Sequence, residues 1–235
     1  MRKRRLKMGM VTILLLFLMV LSASAVQAAT VKLGKATYTT KYEYRGNKTT
    51  IYRQQKGSAK KKLKVVNGYA EPKYEYKNVL YFEMDRVNDP TAIDVWSLNL
   101  STKSTKRLCS NSAFVQGYKQ YMIVTPNTGA LTARKYSVYD ISKKKMKTIS
   151  NRALGANFSK GKVYFFETKE KVTANGIYSG NVYRCNISGS GKTKITKETI
   201  KSGNVIKLTS SYMEYYKHPG IYRYTYSTRK HTKIS

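Results

Sequence analysis

Thiols and soft metal ligands are scarce in this chain. Among its 235 residues there are two Cys and two His, too few for a structural zinc site or a framework of several disulfides. Cys109 and Cys185 occupy different positions of the repeat described below, so we do not expect them to pair. We expect Cys185 to be a buried free thiol and Cys109 to be a loop thiol. We expect no metal site and no cofactor.

Acidic residues are equally scarce. The chain has 12 Asp and Glu against 45 Lys and Arg, which gives a formal net charge of +33. A charge-balanced or acidic protein is therefore excluded. Hydrophobic residues make up 41% and aromatic residues 12%, with 21 Tyr, a composition too apolar for intrinsic disorder. We expect a folded and strongly basic protein.

The first 28 residues have the order of a secretory signal peptide. Five basic residues precede an apolar run of 14 residues at positions 8–21, which is shorter than the roughly 20 residues that span a bilayer. Val26 and Ala28 place small side chains where a signal peptidase reads them, so cleavage is expected after Ala28. An uncleaved N-terminal anchor is the alternative. Cleavage leaves 40 basic against 12 acidic residues, a net charge of +28, and predicts a secreted or envelope-associated bacterial protein without a transmembrane span.

A short cassette recurs five times along the rest of the chain. Its most regular part is an aromatic strand that ends in a Ser or Gly, and the five copies align without gaps. Their last residues are 44, 41, 46 and 39 positions apart. In the last four copies an aliphatic residue follows at an offset of seven: Leu108, Ile149, Ile195 and Ile234. The five aligned segments are 50–57, 94–101, 135–142, 181–188 and 220–227.

Strand patterns also precede each copy. Strong β signals lie at 42–44, 79–82, 121–124, 163–166 and 212–216. Weaker candidates for a first strand lie at 31–33, 73–76, 114–118, 154–158 and 205–208. Each copy then supplies four short antiparallel strands, which cannot bury a face alone but form a blade when packed radially.

This pattern predicts an all-β fold, a five-bladed β-propeller of four-stranded antiparallel blades. The propeller is expected over residues 29–235. A β-sandwich is the structural alternative, although it does not need the same turn offset in every unit. The approximate blades are 29–66, 67–110, 111–151, 152–199 and 200–235.

The fourth copy carries a family resemblance. The segment 181–195, Asn-Val-Tyr-Arg-Cys-Asn-Ile-Ser-Gly-Ser-Gly-Lys-Thr-Lys-Ile, resembles the strand-turn-strand signature of propellers similar to those of the low-density-lipoprotein receptor, which occur as domains of unknown function in exported bacterial proteins. The chain departs from that family at the turn, where Ser-Gly or Ser-Thr replaces Asp-Gly, and no copy has a Tyr-Trp-Thr-Asp motif. The resemblance implies a propeller fold over nearly the whole mature chain and names no ligand.

Catalytic patterns are weak. We expect His218 in the loop between the second and third strands of the last copy and His231 just before the final strand, so no catalytic triad can be nominated. Lys192 lies in a Gly-Ser-Gly-Lys-Thr run that resembles the end of a phosphate loop, but a strand is expected to follow where a phosphate loop needs a helix. We therefore expect a protein that is not an enzyme.

A carbohydrate-active enzyme is the alternative. It requires two carboxyl groups at the axial channel, and Glu71 and Glu75 lie closest to a predicted first strand. Glu83 and Glu167 occupy matching positions at the ends of second strands, which the repeat itself explains.

Oxygen ligands cluster in one loop. Asp85, Asn88, Asp89 and Asp94 could hold Ca²⁺ weakly, but the spacing is not that of an EF-hand. A solvated turn is the preferred interpretation.

Basic residues concentrate in one part of the repeat, the turn between the third and fourth strands and the fourth strand itself. In a propeller the fourth strand is the outer edge of its blade, so these charges would gather around one rim. We predict a polyanion-binding site there, for an anionic envelope polymer such as a teichoic acid or acidic polysaccharide, for anionic lipid headgroups, or for a protein partner. The predicted residues are Lys60, Lys61, Lys62, Lys103, Lys106, Arg107, Lys143, Lys144, Lys145, Lys192, Lys194, Arg229 and Lys230.

Two alternatives to that site remain open. Outer strands carry Lys to prevent edge-to-edge aggregation, which needs no ligand, and the chain would then be a purely structural module of a secreted assembly. Edge protection does not require charges of one sign, however, whereas a net charge of this size costs self-repulsion. Nucleic acid is not an expected partner after export, and no nucleic-acid-binding motif is present.

Overall fold

A computed structural model describes residues 26–127, 133–169 and 176–235, and all regular structure in these ranges is β-strand. No helix in the described part of the chain could cross a membrane. The predicted signal peptide lies outside the described residues except for Val26 to Ala28, which begin the first strand. The chain divides into two compact units, one ending at Glu71 and one running from Pro72 to Ser235.

The first unit contains one antiparallel sheet of four strands in sequential order. The prediction for its second strand, residues 42–44, covered only the end of a strand that begins at Ala36. The buried positions at the start of this strand include small and hydroxylated residues such as Ala36 and Thr40 beside Tyr38. These residues do not form an apolar run, so the sequence pattern did not predict the start of the strand. The strands are β1 (Val26–Leu33), β2 (Ala36–Glu43), β3 (Lys48–Gln55) and β4 (Lys61–Asn67).

The second unit contains two further four-stranded sheets and one sheet of eight strands. The first, which starts in the last two residues of the first unit, has the order β5-β6-β7-β8, and the last has the order β17-β18-β19-β20. Their strands are β5 (Ala70–Tyr76), β6 (Val79–Arg86), β7 (Asp89–Asn99), β8 (Thr105–Cys109), β17 (Val205–Leu208), β18 (Tyr212–Lys217), β19 (Gly220–Thr225) and β20 (Lys230–Lys233).

The eight-stranded sheet joins two sets of four strands through one long strand. It has the order β15-β14-β13-β12-β11-β10-β9, with β16 pairing on β14. The long strand β12 pairs with β11 up to Ala153 and with β13 from Ala153 onward. The strands are β9 (Ser112–Tyr118), β10 (Tyr121–Pro126), β11 (Arg134–Asp140), β12 (Lys145–Ser159), β13 (Lys162–Thr168), β14 (Tyr178–Asn186), β15 (Thr193–Lys194) and β16 (Ile200–Ser202).

The long strand corrects the expectation of separate sheets in the middle of the chain. The fourth strand of the third copy and the first strand of the fourth copy are continuous, because no Gly or Pro interrupts the chain before Gly155. The ladder shifts register around Ala153, so the same strand serves two neighbours.

Strands in the middle of a sheet bury both faces. On β13, Val163 and Phe165 belong to one apolar cluster, whereas Tyr164 and Phe166 belong to another that includes residues of β18 and β19. Successive side chains of a strand point to opposite faces, so an uninterrupted apolar run here indicates packing on both sides.

Both cysteines are buried and free. Cys185 is a buried thiol as predicted, but Cys109 is not a loop thiol: it ends β8 and lies in an apolar cluster with Val95 and Met122. Burial raises the pKa of Cys109 and of Cys185 to about 11, so both thiols stay protonated at neutral pH.

Gly117 on β9 leaves space for the ring of Tyr74 on β5. A methyl group added at Gly117 would lie 2.4 Å from that ring. The ring cannot easily move away, because the Tyr74 hydroxyl donates a hydrogen bond to the Lys119 carbonyl at 2.9 Å. We expect Gly117→Ala to lower the free energy of unfolding by about 1–3 kcal/mol through overpacking, measured by urea denaturation. Gly46→Ala is the matched control, since its added methyl would meet nothing closer than 3.8 Å.

A double-mutant cycle isolates this contact. In a Tyr74→Leu background the clash is relieved, so Gly117→Ala should cost much less than in the wild type. An equal cost in both backgrounds would contradict the assignment of the effect to Tyr74.

Candidate polyanion-binding site

Five hairpins carry the predicted basic residues, and we call them the basic hairpins: β3–β4, β7–β8, β11–β12, β14–β15 and β19–β20. Three of their turns place a basic residue in the left-handed backbone region, with φ of 59° at Lys103, 53° at Lys144 and 55° at Arg229. In two of the hairpins, the side chain of the last residue of the preceding strand holds the turn by hydrogen bonds. The Asn99 side chain accepts hydrogen bonds from the Ser101 and Thr102 amides, and Asp140 does the same at the next hairpin.

The predicted residues are exposed with one exception. Lys103 is half-buried, and its ammonium group donates to the Leu100 carbonyl. The ammonium of Lys60 lies 5.1 Å from the centre of the Tyr52 ring, where it remains accessible to an anion.

Carboxylates reach only a few cations of the basic hairpins. The described ion pairs include one hairpin cation on each of β7–β8, β14–β15 and β19–β20, namely Arg107, Lys192 and Arg223. The shortest pairs are Lys73–Glu83 at 3.0 Å, Arg86–Asp94 at 2.9 Å, Lys192–Glu167 at 2.6 Å and Arg223–Glu214 at 2.6 Å. Of the thirteen predicted residues only Lys192 and Arg107 pair with a carboxylate that the structure describes.

Lys192 differs from most of the predicted set because it has a carboxylate partner. Its ammonium group lies 2.6 Å from Glu167 and 4.6 Å from the centre of the Tyr183 ring. This ion pair competes with any polymer for the ammonium group of Lys192, which stays a predicted binding residue. The Gly189–Thr193 turn leads into β15 and not into a helix, which removes the geometry of a phosphate loop.

One groove brings two basic hairpins together. It has a volume of about 500 Å³ and is lined by Lys106 and Arg107 from β8 and by Lys144 from the β11–β12 turn. Its inner wall includes Tyr81 and Tyr139, which are 3% and 7% exposed. No carboxylate lines the groove. Arg107 pairs with Asp94, so Lys106 and Lys144 are the cations that act on whatever occupies it.

The third and fourth hairpins are also neighbours. The turn at Gly189 faces Lys147 and Ile149 of β12, since a methyl group added at Gly189 would lie 3.1 Å from the Ile149 side chain and 3.5 Å from that of Lys147. Lys60, Lys61 and Lys62 belong to the first unit. Arg229 and Lys230 lie at the turn of the β19–β20 hairpin.

Asp94 is not part of a solvated turn. Its side chain is 2% exposed and accepts hydrogen bonds from Arg86 at 2.9 Å and from the Asn111 amide at 2.7 Å, while Arg107 lies 3.4 Å away. Burial alone would raise the pKa of Asp94, but the hydrogen bonds from Arg86 and Asn111 lower it by more, so the pKa lies below its usual value. This carboxylate anchors two arginines, and Asp85 and Asp89 do not join it as a cluster of ligands.

The other polar candidates also have structural contacts. Glu83 accepts from the Phe114 amide at 2.6 Å as well as pairing with Lys73. His231 lies within β20 and not before it, where its Nδ1 is 2.7 Å from the Tyr215 hydroxyl. Burial lowers the pKa of His231. His218 lies in the turn between β18 and β19, as predicted.

No protein-family model matches this chain, and no curated protein is similar to it in sequence. Solved structures do match its backbone. The β-propeller domain of the Trilobed protease from Pyrococcus furiosus matches with a TM-score of 0.52 and 10% identity, over 89% of this chain and 83% of that domain. The fold is a β-propeller.

Two other solved structures match with similar scores. An acylaminoacyl peptidase from Pyrococcus horikoshii matches with a TM-score of 0.55 and 9% identity, over 89% of this chain and 39% of the peptidase. An oligogalacturonate lyase in complex with manganese matches with a TM-score of 0.53 and 6% identity, over 84% of this chain and 61% of the lyase. At these identities the likeness shows the fold alone.

The matches confirm the all-β propeller prediction in place of the sandwich. The closer resemblance to low-density-lipoprotein-receptor propellers stays a prediction from the strand-turn-strand signature of the fourth copy.

Proposed function

We propose that this protein is a non-enzymatic, exported β-propeller that binds an anionic polymer of the cell envelope through its basic hairpins. The observation that supports this most is the separation of charges. Carboxylates such as Asp94 and Glu167 neutralise cations within the fold, whereas Lys143, Lys144 and Lys145 stand exposed on one turn without an ion pair to any described residue.

Edge protection alone does not account for this arrangement. A charge or two is enough to keep an edge strand from pairing with another chain, and several of the lysines lie in turns. Like charges in one turn repel each other, and that cost is recovered when an anion binds between them.

The proposal includes a ring of five blades and a cleaved signal peptide. The eight-stranded sheet counts as two blades because β12 changes partner from β11 to β13 at Ala153.

Cleavage of the signal peptide after Ala28 removes three residues from β1, all of them exposed. The exported protein would then begin at Ala29, which intact mass measurement checks directly.

Binding to anionic polymers should be steeply dependent on salt. Each contact between a lysine and the polymer displaces counterions, so raising NaCl from about 0.05 to about 0.5 M should weaken binding of the mature protein at least about tenfold. Poly(glycerol phosphate) and polygalacturonate are suitable probes, with affinity measured by biolayer interferometry across the salt series. Binding that is unaffected by salt, or no binding to either polymer, would contradict the proposal.

Charge reversal tests whether position matters beyond net charge. The triple variant Lys143→Glu, Lys144→Glu, Lys145→Glu should lose most of the affinity at low salt. The matched control changes three exposed lysines outside the basic hairpins, Lys35, Lys201 and Lys217, to Glu, which alters the net charge equally. Equal losses in both variants would mean that the hairpins are not the binding site.

A further inference from the structure

The groove between β8 and the β11–β12 turn has the size and lining of a binding site. Its volume of about 500 Å³ lies in the range of sites for small molecules, which are about 300–1,000 Å³ and combine apolar walls with a few placed polar groups. Val79, Leu108 and Ile141 supply the apolar walls. The polar lining is of two kinds, cationic and neutral.

The cationic groups are exposed and available. Lys106 and Lys144 form no ion pair with a described residue, and Arg107 is held only loosely by Asp94 at 3.4 Å. With no carboxylate in the lining, the groove favours an anionic ligand. The ammonium groups of Lys106 on β8 and Lys144 in the β11–β12 turn can approach one carboxylate or one phosphate.

The neutral groups distinguish this groove from a simple cationic surface. The hydroxyls of Tyr81 and Tyr139 donate to no described residue, and both side chains line the groove. Their rings are fixed in an apolar cluster with Val95 and Met122. Burial raises the pKa of Tyr81 to about 12, so this phenol remains a hydrogen-bond donor at neutral pH.

Asn99 adds a third neutral donor. Its side-chain oxygen accepts from the Ser101 and Thr102 amides, and its amide nitrogen is bonded to no group that the structure describes. Asn99 lines the groove. A phosphodiester chain needs only cations, whereas the hydroxyl groups and C–H surface of a sugar need neutral donors beside an apolar wall.

We propose that the groove binds an acidic sugar, a uronic acid unit of an envelope polysaccharide, with the carboxylate on Lys106 and Lys144 and the sugar hydroxyls on Tyr81, Tyr139 and Asn99. This inference rests on the proposed function, since it names the polymer that the basic hairpins recognise. The hairpins outside the groove attract any polyanion, and the groove adds selectivity for the carboxylated sugar.

The test compares two oligomers of equal charge on the mature protein by titration calorimetry: a galacturonate oligomer and a glycerol-phosphate oligomer. The double variant Tyr81→Phe, Tyr139→Phe removes two hydroxyls and keeps both rings in the core. It should weaken galacturonate binding about tenfold and leave glycerol-phosphate binding within about twofold of the wild type. Tyr164→Phe, which alters a buried tyrosine of another cluster, is the matched control and should change neither affinity.

The outcomes separate the two proposals. If the wild type binds only the glycerol-phosphate oligomer, or if the double variant binds galacturonate normally or loses both ligands equally, the uronic acid inference is wrong while the proposed function stands. If the wild type binds neither oligomer at low salt, the proposed function fails as well.

Discussion

Asp94→Asn should lower the free energy of unfolding by about 2–3 kcal/mol. The substitution keeps the shape of the side chain but removes the charge that holds Arg86 at 2.9 Å and Arg107 at 3.4 Å. The loss stays below that of a fully buried pair, because both arginines are partly exposed and regain water. Urea denaturation of the variant and the wild type measures the difference.

The pH dependence of this difference follows from the lowered pKa of Asp94. A carboxyl group whose pKa is lower in the folded state stabilises the fold above its unfolded pKa of about 3.9, and this contribution disappears as pH falls through the folded value. The gap between the wild type and Asp94→Asn should therefore be constant near neutrality and shrink below about pH 4. A gap that persists in acid would show that the charge is not responsible.

Glu214→Gln provides the comparison. Glu214 also pairs with an arginine, Arg223 at 2.6 Å, but it is more exposed than Asp94, and it has one cationic partner in place of two. We expect a cost below about 1 kcal/mol. Equal costs for the two substitutions would contradict the special role of Asp94.

The fold was predictable from the repeat, because each copy marks its strands independently. Continuous apolar runs predicted the strands that became β10 and β13, and the aligned segment of the fifth copy predicted β19. Predictions failed where tertiary context overrides local pattern. Cys109 follows a polar, basic strand and looks exposed, yet the adjacent sheet buries it, and β12 runs through two copies because nothing in its sequence forces a turn.

The candidate site was predictable only in part. The basic hairpins are a property of the repeat, and their position in the fold follows from it. The groove is not a property of the repeat, because Tyr81 and Tyr139 lie 58 positions apart in the sequence and come together only when two sheets pack. The pairing of Lys192 with Glu167 was likewise invisible, because matching positions in a repeat do not reveal which charges face each other.

Phe166→Ala should be more destabilising than Asp94→Asn, at about 3–5 kcal/mol. Phe166 is fully buried, with 0% exposure, in the cluster that joins β13 and β14 to residues of β18 and β19. Its ring also lies against Gly180, where an added methyl group would be 2.8 Å from it. Removal of the ring leaves a cavity that the rigid ladders on both sides cannot close.

Denaturation by urea measures this effect, with Tyr216→Ala as the matched control. Tyr216 lies on β18 but is 44% exposed, so its truncation should cost no more than about 0.5 kcal/mol. Phe166→Leu keeps much of the side-chain volume, so its loss of stability should fall between those of Phe166→Ala and Tyr216→Ala.

Below its unfolding transition Phe166→Ala should still bind anionic polymers like the wild type, because the basic hairpins are built by their own turns. A loss of binding in a folded Phe166→Ala protein would mean instead that packing between the sheets positions the lysines.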